Sequence, residues 1–236
     1  MSEPTRTIHC CDALDWLKNY QPQAGTVLVG SLPDFSEFPQ YSLKEWQDWF
    51  TETAALILEK TNPEQAAYFF QSDIKHEGQW IDKAYLCQKA AEKVGSQLLW
   101  HKIFCRLPAG QPSLGRPGYS HLLCFSKSTL LNDPHPGADV VPSLGQKTWA
   151  RGMGFEACCR IVQSAKESFH AHTLINPFCG HGSVLAVANA YGLHAIGIER
   201  SAKRAKKAQE MAVHLESGTW LENAQSALAV ELDESF

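Results

Sequence analysis

The sequence predicts an α/β fold built around a largely parallel sheet, and three observations lead there. Short apolar runs that suit buried strands alternate with amphipathic runs that suit helices. Thr173 to Glu199 reads as an uninterrupted strand, glycine turn, helix and strand. Gln97–Cys105 and Ser120–Phe125 read as two further strands, joined by a loop rich in proline and glycine.

In the first of these stretches Leu174 and Ile175 form a short apolar strand, and Gly180 and Gly182 let the backbone turn tightly into a helix starting near Ser183. That helix buries Leu185, Val187 and Ala188, and the following strand, Ala195 to Ile198, ends in Glu199. A ligand over the turn meets backbone N–H groups, and an acid about 20 residues beyond suits the hydroxyls of a ribose. A dinucleotide site needs a third glycine where the helix packs on the strand. Here Leu185 stands in that place, so the pattern favours S-adenosylmethionine over NAD.

Asn176-Pro-Phe-Cys-Gly-His-Gly-Ser183 followed by Ala195-Ile-Gly-Ile-Glu199 resembles the D-P-F-x-G-S-G-T…G-x-E block of S-adenosylmethionine-dependent methyltransferases that modify amino groups of nucleic-acid bases. The resemblance implies a Rossmann-like methyltransferase fold with a seven-stranded sheet and a terminal antiparallel hairpin. It implies one domain over residues 1–236 in permuted order: a catalytic half over 1–128, a cofactor half over 145–217 and a tail over 218–236. Asn176, Pro177, Phe178, Cys179, Gly180, Gly182, Ser183 and Glu199 are then the expected cofactor contacts. Asp12, at the end of the strand Ile8–Asp12, matches an acid that contacts the adenine amino group, and it also suits the cap of the following helix.

The catalytic half of the family carries [D/N/S]-P-P-[Y/F/W] at a strand end, and here Thr26–Gly30 is followed by Ser31, Leu32, Pro33, Asp34 and Phe35. An exocyclic amine is a poor nucleophile because its lone pair is delocalised into the ring. The motif's first side chain and a backbone carbonyl accept hydrogen bonds from that amine, while the aromatic stacks on the extruded base. Ser31 and Pro33 fit. Leu32 is tolerable because only its carbonyl is needed, but Asp34 cannot stack, so Phe35 is the expected stacking group and Asp34 an acceptor or a base.

Ser42 to Glu45 is a capping box opening a helix that runs toward Asn62-Pro63, with Trp46, Phe50, Ala54, Leu56 and Ile57 as its apolar stripe. Ala66–Gln71 reads as a strand and Ile81–Val94 as a helix with Ala84, Tyr85, Cys87 and Ala91 inward. Trp100 and Lys102 match the family's W-x-K strand. Arg106, Arg116 and Tyr119, in the loop before Ser120, are expected substrate contacts. Leu130–Gly145 reads as a connection without periodicity. Lys147 and Arg151 match the element that meets the methionine carboxylate. The last helix, Ser201–Leu215, carries Lys203, Arg204, Lys206 and Lys207, either a solvated face or a phosphate grip that includes Lys203. Residues after Glu222 read as weakly ordered.

The 236 residues carry a net charge of −4 with a pI of about 6.2, which argues against a surface coated in phosphate contacts. A nucleic-acid substrate then needs a local basic surface or a helper protein. No run of eighteen apolar residues and no charged-then-apolar leader is present, and the eight cysteines include two adjacent pairs but no C-x-x-C spacing. Reduced, mostly buried thiols in a cytoplasmic compartment are expected, with no metal site. No gap between core elements could hold a large recognition insert, which favours a structured RNA such as tRNA over DNA. The resulting expectation is base N-methylation with S-adenosylmethionine. Its alternatives are a non-catalytic RNA-binding or scaffold subunit, and a methyltransferase for a small molecule or a protein side chain.

Overall fold

The computed structural model describes residues 3–131 and 137–221. The first 128 residues contribute β1 (Arg6–His9), α1 (Ala13–Asn19), β2 (Thr26–Gly30), α2 (Leu43–Glu59), β3 (Ala67–Gln71), β4 (Ile74–His76), β5 (Gln79–Ile81), α3 (Lys83–Val94), β6 (Gln97–Cys105) and β7 (Tyr119–Ser126). After these come β8 (Val140–Val141), α4 (Phe155–Phe169), β9 (Thr173–Asn176), α5 (Ser183–Ala190), β10 (His194–Ile198), α6 (Ala202–Glu210), β11 (Ala212–His214) and β12 (Thr219–Leu221).

Eight strands form the main sheet in the order β1-β10-β9-β2-β3-β7-β6-β8. The first five are parallel, β7 is antiparallel to both β3 and β6, and β8 rejoins parallel to β6. The sheet is thus largely parallel with an antiparallel hairpin. Its eighth strand, Val140–Val141, was expected to be irregular connection, a difference explained by two ladder residues being too few for periodicity to show.

Strand side chains alternate between two cores because successive Cβ atoms point to opposite faces. Val27, Val29, Tyr68, Phe70 and Leu174 pack with α4 and α5, while Leu28, Ala67, Phe69 and Ile175 pack with α1, α2 and α3. In α2 the box closes as expected: Glu45 Oε2 accepts from Ser42 N at 2.7 Å, and Ser42 Oγ accepts from Glu45 N at 3.3 Å. Trp46, Phe50, Ala54 and Ile57 then line its buried stripe. Helix α3 starts two residues later than expected, because Ile81 belongs to β5 and Asp82 caps the helix by accepting from Tyr85 N at 2.9 Å. Tyr85 points outward, not into the core. Helix α6 ends at Glu210 instead of Leu215, and β11 and β12 pair antiparallel in a stretch expected to be helix end and tail. The tail expected after Glu222 and the middle of the 130–145 connection lie outside the described residues.

The loops after β2 and β9 are what the sheet order positions. These strands are neighbours, with Val27 opposite Leu174 and Leu28 opposite Ile175. The chain leaves β9 through α5 toward β10, and leaves β2 through α2 toward β3, in opposite directions along the sheet. Such a switch point opens a crevice at the carboxyl ends of the two strands. Gly182, in the turn after β9, packs closely on α6: its φ is +79°, and a Cβ there would stand 2.9 Å from the Ala208 Cα.

Gly182→Ala should therefore destabilise the protein by at least the roughly 1–2 kcal/mol of a left-handed alanine, with overlap against α6 added. Urea denaturation reads this directly. An unchanged midpoint would show that α6 gives way freely.

Candidate active site

The crevice is a cleft of about 590 Å³, within the range of small-molecule sites. On one side the glycine turn contributes Asn176, Pro177, Phe178, Cys179, Gly180 and Ser183, with Glu199 from just after β10 and Asp12, which lies beyond the end of β1 at His9, from the cap of α1. Ser31, Leu32, Pro33, Asp34 and Phe35 form the facing side, and Arg106, Arg116, Lys147 and Arg151 stand along the same cleft. Gly182, Tyr119 and Lys203 do not line it. Gly182 is the cap residue of α5, Lys203 is exposed on α6, and Tyr119 OH reaches Asp73 Oδ2 at 3.4 Å.

The turn is held locally. Asn176 Oδ1 accepts from Phe178 N at 3.1 Å, Cys179 N donates to the Ile198 carbonyl at 3.0 Å, and Ser183 Oγ lies 2.9 Å from Thr148 Oγ1. Glu199 is buried, and its Oε1 accepts from Ser201 N at 2.8 Å and Arg204 Nε at 3.1 Å. Neither bond uses Oε2. Asp12 caps α1, accepting from Leu14 N at 2.8 Å and Asp15 N at 3.2 Å, while it also lines the cleft. Burial, with Glu199 beside it, pushes the Cys179 thiol up to about 12, so it is a packing group and no nucleophile at neutral pH.

The two cationic groups expected at the methionine end already have partners. Arg151 pairs with Glu37 at 2.9 Å, bridging the loop before α4 to the turn after Asp34, and Lys147 Nζ donates to the Ala150 carbonyl at 2.9 Å. Burial lowers the Lys147 ammonium, and Arg106 and Arg116 lower it further. Burial and Arg116 likewise lower Arg106, so these three cations crowd one another at the cleft. Trp149 stacks on His181 at 4.7 Å and covers the Gly180 backbone.

Asp34 carries the feature least visible in the sequence. Its carboxylate pairs with Lys83 Nζ, from the first turn of α3, and Lys83 is 2 % exposed. The ammonium also lies 5.7 Å from the Trp46 ring and 5.8 Å from the Phe50 ring. The Lys83 N–H donates to Asp73 Oδ1 at 2.9 Å, and Asp73 accepts in addition from His121, at 3.0 Å, and the Trp80 ring N–H, also at 3.0 Å. Burial pushes the Asp73 carboxyl up, but the bonds from His121, Lys83 N and Trp80 outweigh it and leave it below its ordinary value. Asp73, Asp82 and His121 lie close enough to hold an ion, yet Asp73 is already committed to these donors. Phe35, the expected stacking group, meets His76 edge-on at 4.9 Å and lines the cleft together with Phe38, Tyr41 and Trp49.

No protein-family model and no curated protein matches the sequence. Solved structures do match in shape. A Thermus thermophilus protein, provisionally assigned as a DNA modification methylase, superposes with a TM-score of 0.67 at 16% identity, over 86% of this chain and 93% of that one. The fold is that of the S-adenosylmethionine-dependent amino-methyltransferases. The same Thermus protein is known in complex with S-adenosylmethionine, and that structure matches with a TM-score of 0.66 at 16% identity, over 86% of this chain and 92% of that one. The cytosine-N4-specific PvuII DNA methyltransferase matches with a TM-score of 0.61 at 14% identity, over 88% of this chain and 86% of that one. These amino-methyltransferase folds are nearly spanned by this chain, so its compactness does not distinguish an RNA substrate from DNA. The expectation of RNA on that ground is not supported.

Removing one partner of a buried ion pair is costly. Asp34→Ala leaves the Lys83 ammonium buried without its carboxylate and should cost about 3 kcal/mol in urea denaturation. Asp34→Asn keeps an oxygen for Lys83 and should cost clearly less. Equal losses would show that an amide oxygen cannot stand in for the carboxylate, and no loss in either variant would show that Lys83 does not depend on this partner.

Proposed function

We propose that the protein transfers a methyl group from S-adenosylmethionine to an amino nitrogen of a nucleic-acid base. One observation carries the reading: neighbouring strands β2 and β9 bring the glycine turn and Ser31–Asp34 into a single cleft. The residues on the cofactor side fit such a donor. Gly180 lines the cleft without adding a side chain to it, the cleft volume suits the molecule, and Glu199 keeps Oε2 for ribose hydroxyls. When bound, the donor supplies an activated methyl on a sulfonium.

The chain's own residues account for the rest. Ser31 Oγ and the Leu32 carbonyl accept from the target amine, favouring a pyramidal nitrogen whose lone pair is withdrawn from the ring's π system. Asp34, paired with an ammonium, offers acceptor oxygens. Phe35, Phe38, Tyr41 and Trp49 supply apolar walls for an extruded base. Arg106, Arg116 and Lys147 form the local basic surface that an acidic protein needs in order to hold a polyanion. That cluster favours nucleic acid over a small molecule or a protein side chain. Nothing in the cleft chooses between RNA and DNA, so both are offered in the test.

Calorimetry should show S-adenosylmethionine binding to the wild type, weakened about tenfold to a hundredfold by Glu199→Ala. An unchanged dissociation constant would remove Glu199 from the site, and no binding by the wild type would favour a scaffold role. Arg106→Ala combined with Arg116→Ala should weaken oligonucleotide binding and flatten its logarithmic salt dependence by roughly one for each phosphate no longer gripped. An unaltered slope would place the nucleic acid elsewhere.

A further inference from the structure

We propose that the base drawn into the cleft is guanine and the methylated atom its exocyclic N2, selected by the Asp34 carboxylate that buried Lys83 fixes at the cleft floor. This rests on the base-methyltransferase reading and names its substrate. Adenine and cytosine set their amine beside a ring nitrogen that accepts hydrogen bonds. Guanine sets its amine beside a ring N–H. A carboxylate only accepts, so against adenine N1 or cytosine N3 it would oppose lone pair to lone pair. Against guanine it accepts from N1–H and from one N2–H side by side, the arrangement that makes bidentate carboxylate contacts strong.

A second, independent group points the same way. Gly30, the last residue of β2, is the register partner of Phe69 of β3, so Gln71 ends β3 two residues further toward the cleft, beside the loop in which Leu32 follows β2. Gln71 is 2 % exposed and lines the cleft, and its side-chain Nε2 has no hydrogen-bond partner among the described residues. A buried donor left without an acceptor is costly. Guanine O6, adjacent to N1–H, supplies that acceptor. A donor from Gln71 with the two oxygens of Asp34 repeats the donor and two acceptors that cytosine presents to guanine in a base pair.

Lys83 is a positioning residue. It has three donors and no acceptor, and its backbone is tied to Asp73, so it holds one Asp34 oxygen and sets how the carboxylate faces the cleft. In the transfer, the N2 lone pair forms the N–CH₃ bond as the S–CH₃ bond breaks and its electron pair departs with sulfur. The surplus N2 proton passes to Asp34 and then to water.

The geometry makes Asp34→Asn a specificity test. Lys83 can bind only the amide oxygen, which turns the NH₂ toward the base, where it suits adenine N1 or cytosine N3 and opposes guanine N1–H. Without any methyl donor, calorimetry on the full chain should show guanosine 5′-monophosphate binding about tenfold tighter than the adenosine or cytidine monophosphate, the scale of a good bidentate contact. Asp34→Asn should erase or reverse that order while leaving S-adenosylmethionine affinity unchanged, which also shows that the variant is folded. In parallel, the wild type is incubated with tritiated-methyl S-adenosylmethionine and with RNA or DNA from cells lacking the protein, and the digested nucleosides are identified. Label on guanine N2 in either polymer is expected, and the arm that carries it names the polymer. Equal binding of the three nucleotides, or a preference untouched by Asp34→Asn, overturns the proposal. Label on an adenine or cytosine amine overturns the guanine assignment but keeps base methylation, whereas label on no nucleoside overturns both.

Discussion

The site depends on the parallel pairing of β2 with β9. Both strands are short and mostly buried, and only Asn176, at the end of β9, reaches the cleft from them. Their adjacency matters because parallel strands end at the same edge, and because the chain departs from them in opposite directions. A glycine turn from one and a Ser-Leu-Pro-Asp turn from the other thereby face each other across one cleft. Had another strand separated them, the same two motifs would lie about 9–10 Å apart along the sheet, twice the spacing of neighbours.

Around that junction the structure spends stability on charge placement. A lysine almost withdrawn from solvent is tolerated at the start of α3 because a carboxylate, two aromatic faces and a well-anchored backbone meet it. The same care is missing from the cations at the cleft. Arg106, Arg116 and Lys147 crowd one another, and Arg106 and Lys147 are depressed further by burial. Arrays of this kind are costly in the free protein and are relieved when an anion enters. The two arrangements differ: in one a cation is neutralised by a carboxylate, in the other like charges stand side by side.

Much of this was legible in the sequence where the determinants are local. Glycines at positions needing positive φ, an acid at the tip of the next strand and a capping box are each set by a few adjacent residues, and the structure has them where they were expected. What stayed hidden was long-range. Lys83 is 49 residues from Asp34 and opens a helix, where a lysine has no distinguishing pattern. Arg151 looked like an anion ligand because its match was positional, and only the folded chain shows Glu37 reaching it. Gln71 read simply as the end of an apolar strand, and its unpartnered amide appears only once β3 is set beside β2. Trp149, lying over Gly180, stands between Lys147 and Arg151, a stretch matched for its cations and not for its ring.

The most direct test of the shared cleft is a crystal structure of the full chain with S-adenosylhomocysteine. The expected result has the ribose on Glu199, the ligand's chain running over Gly180, and the sulfur facing Ser31 to Asp34 across the cleft. A ligand bound away from the β9 turn, or one whose sulfur points away from the β2 loop, would contradict it.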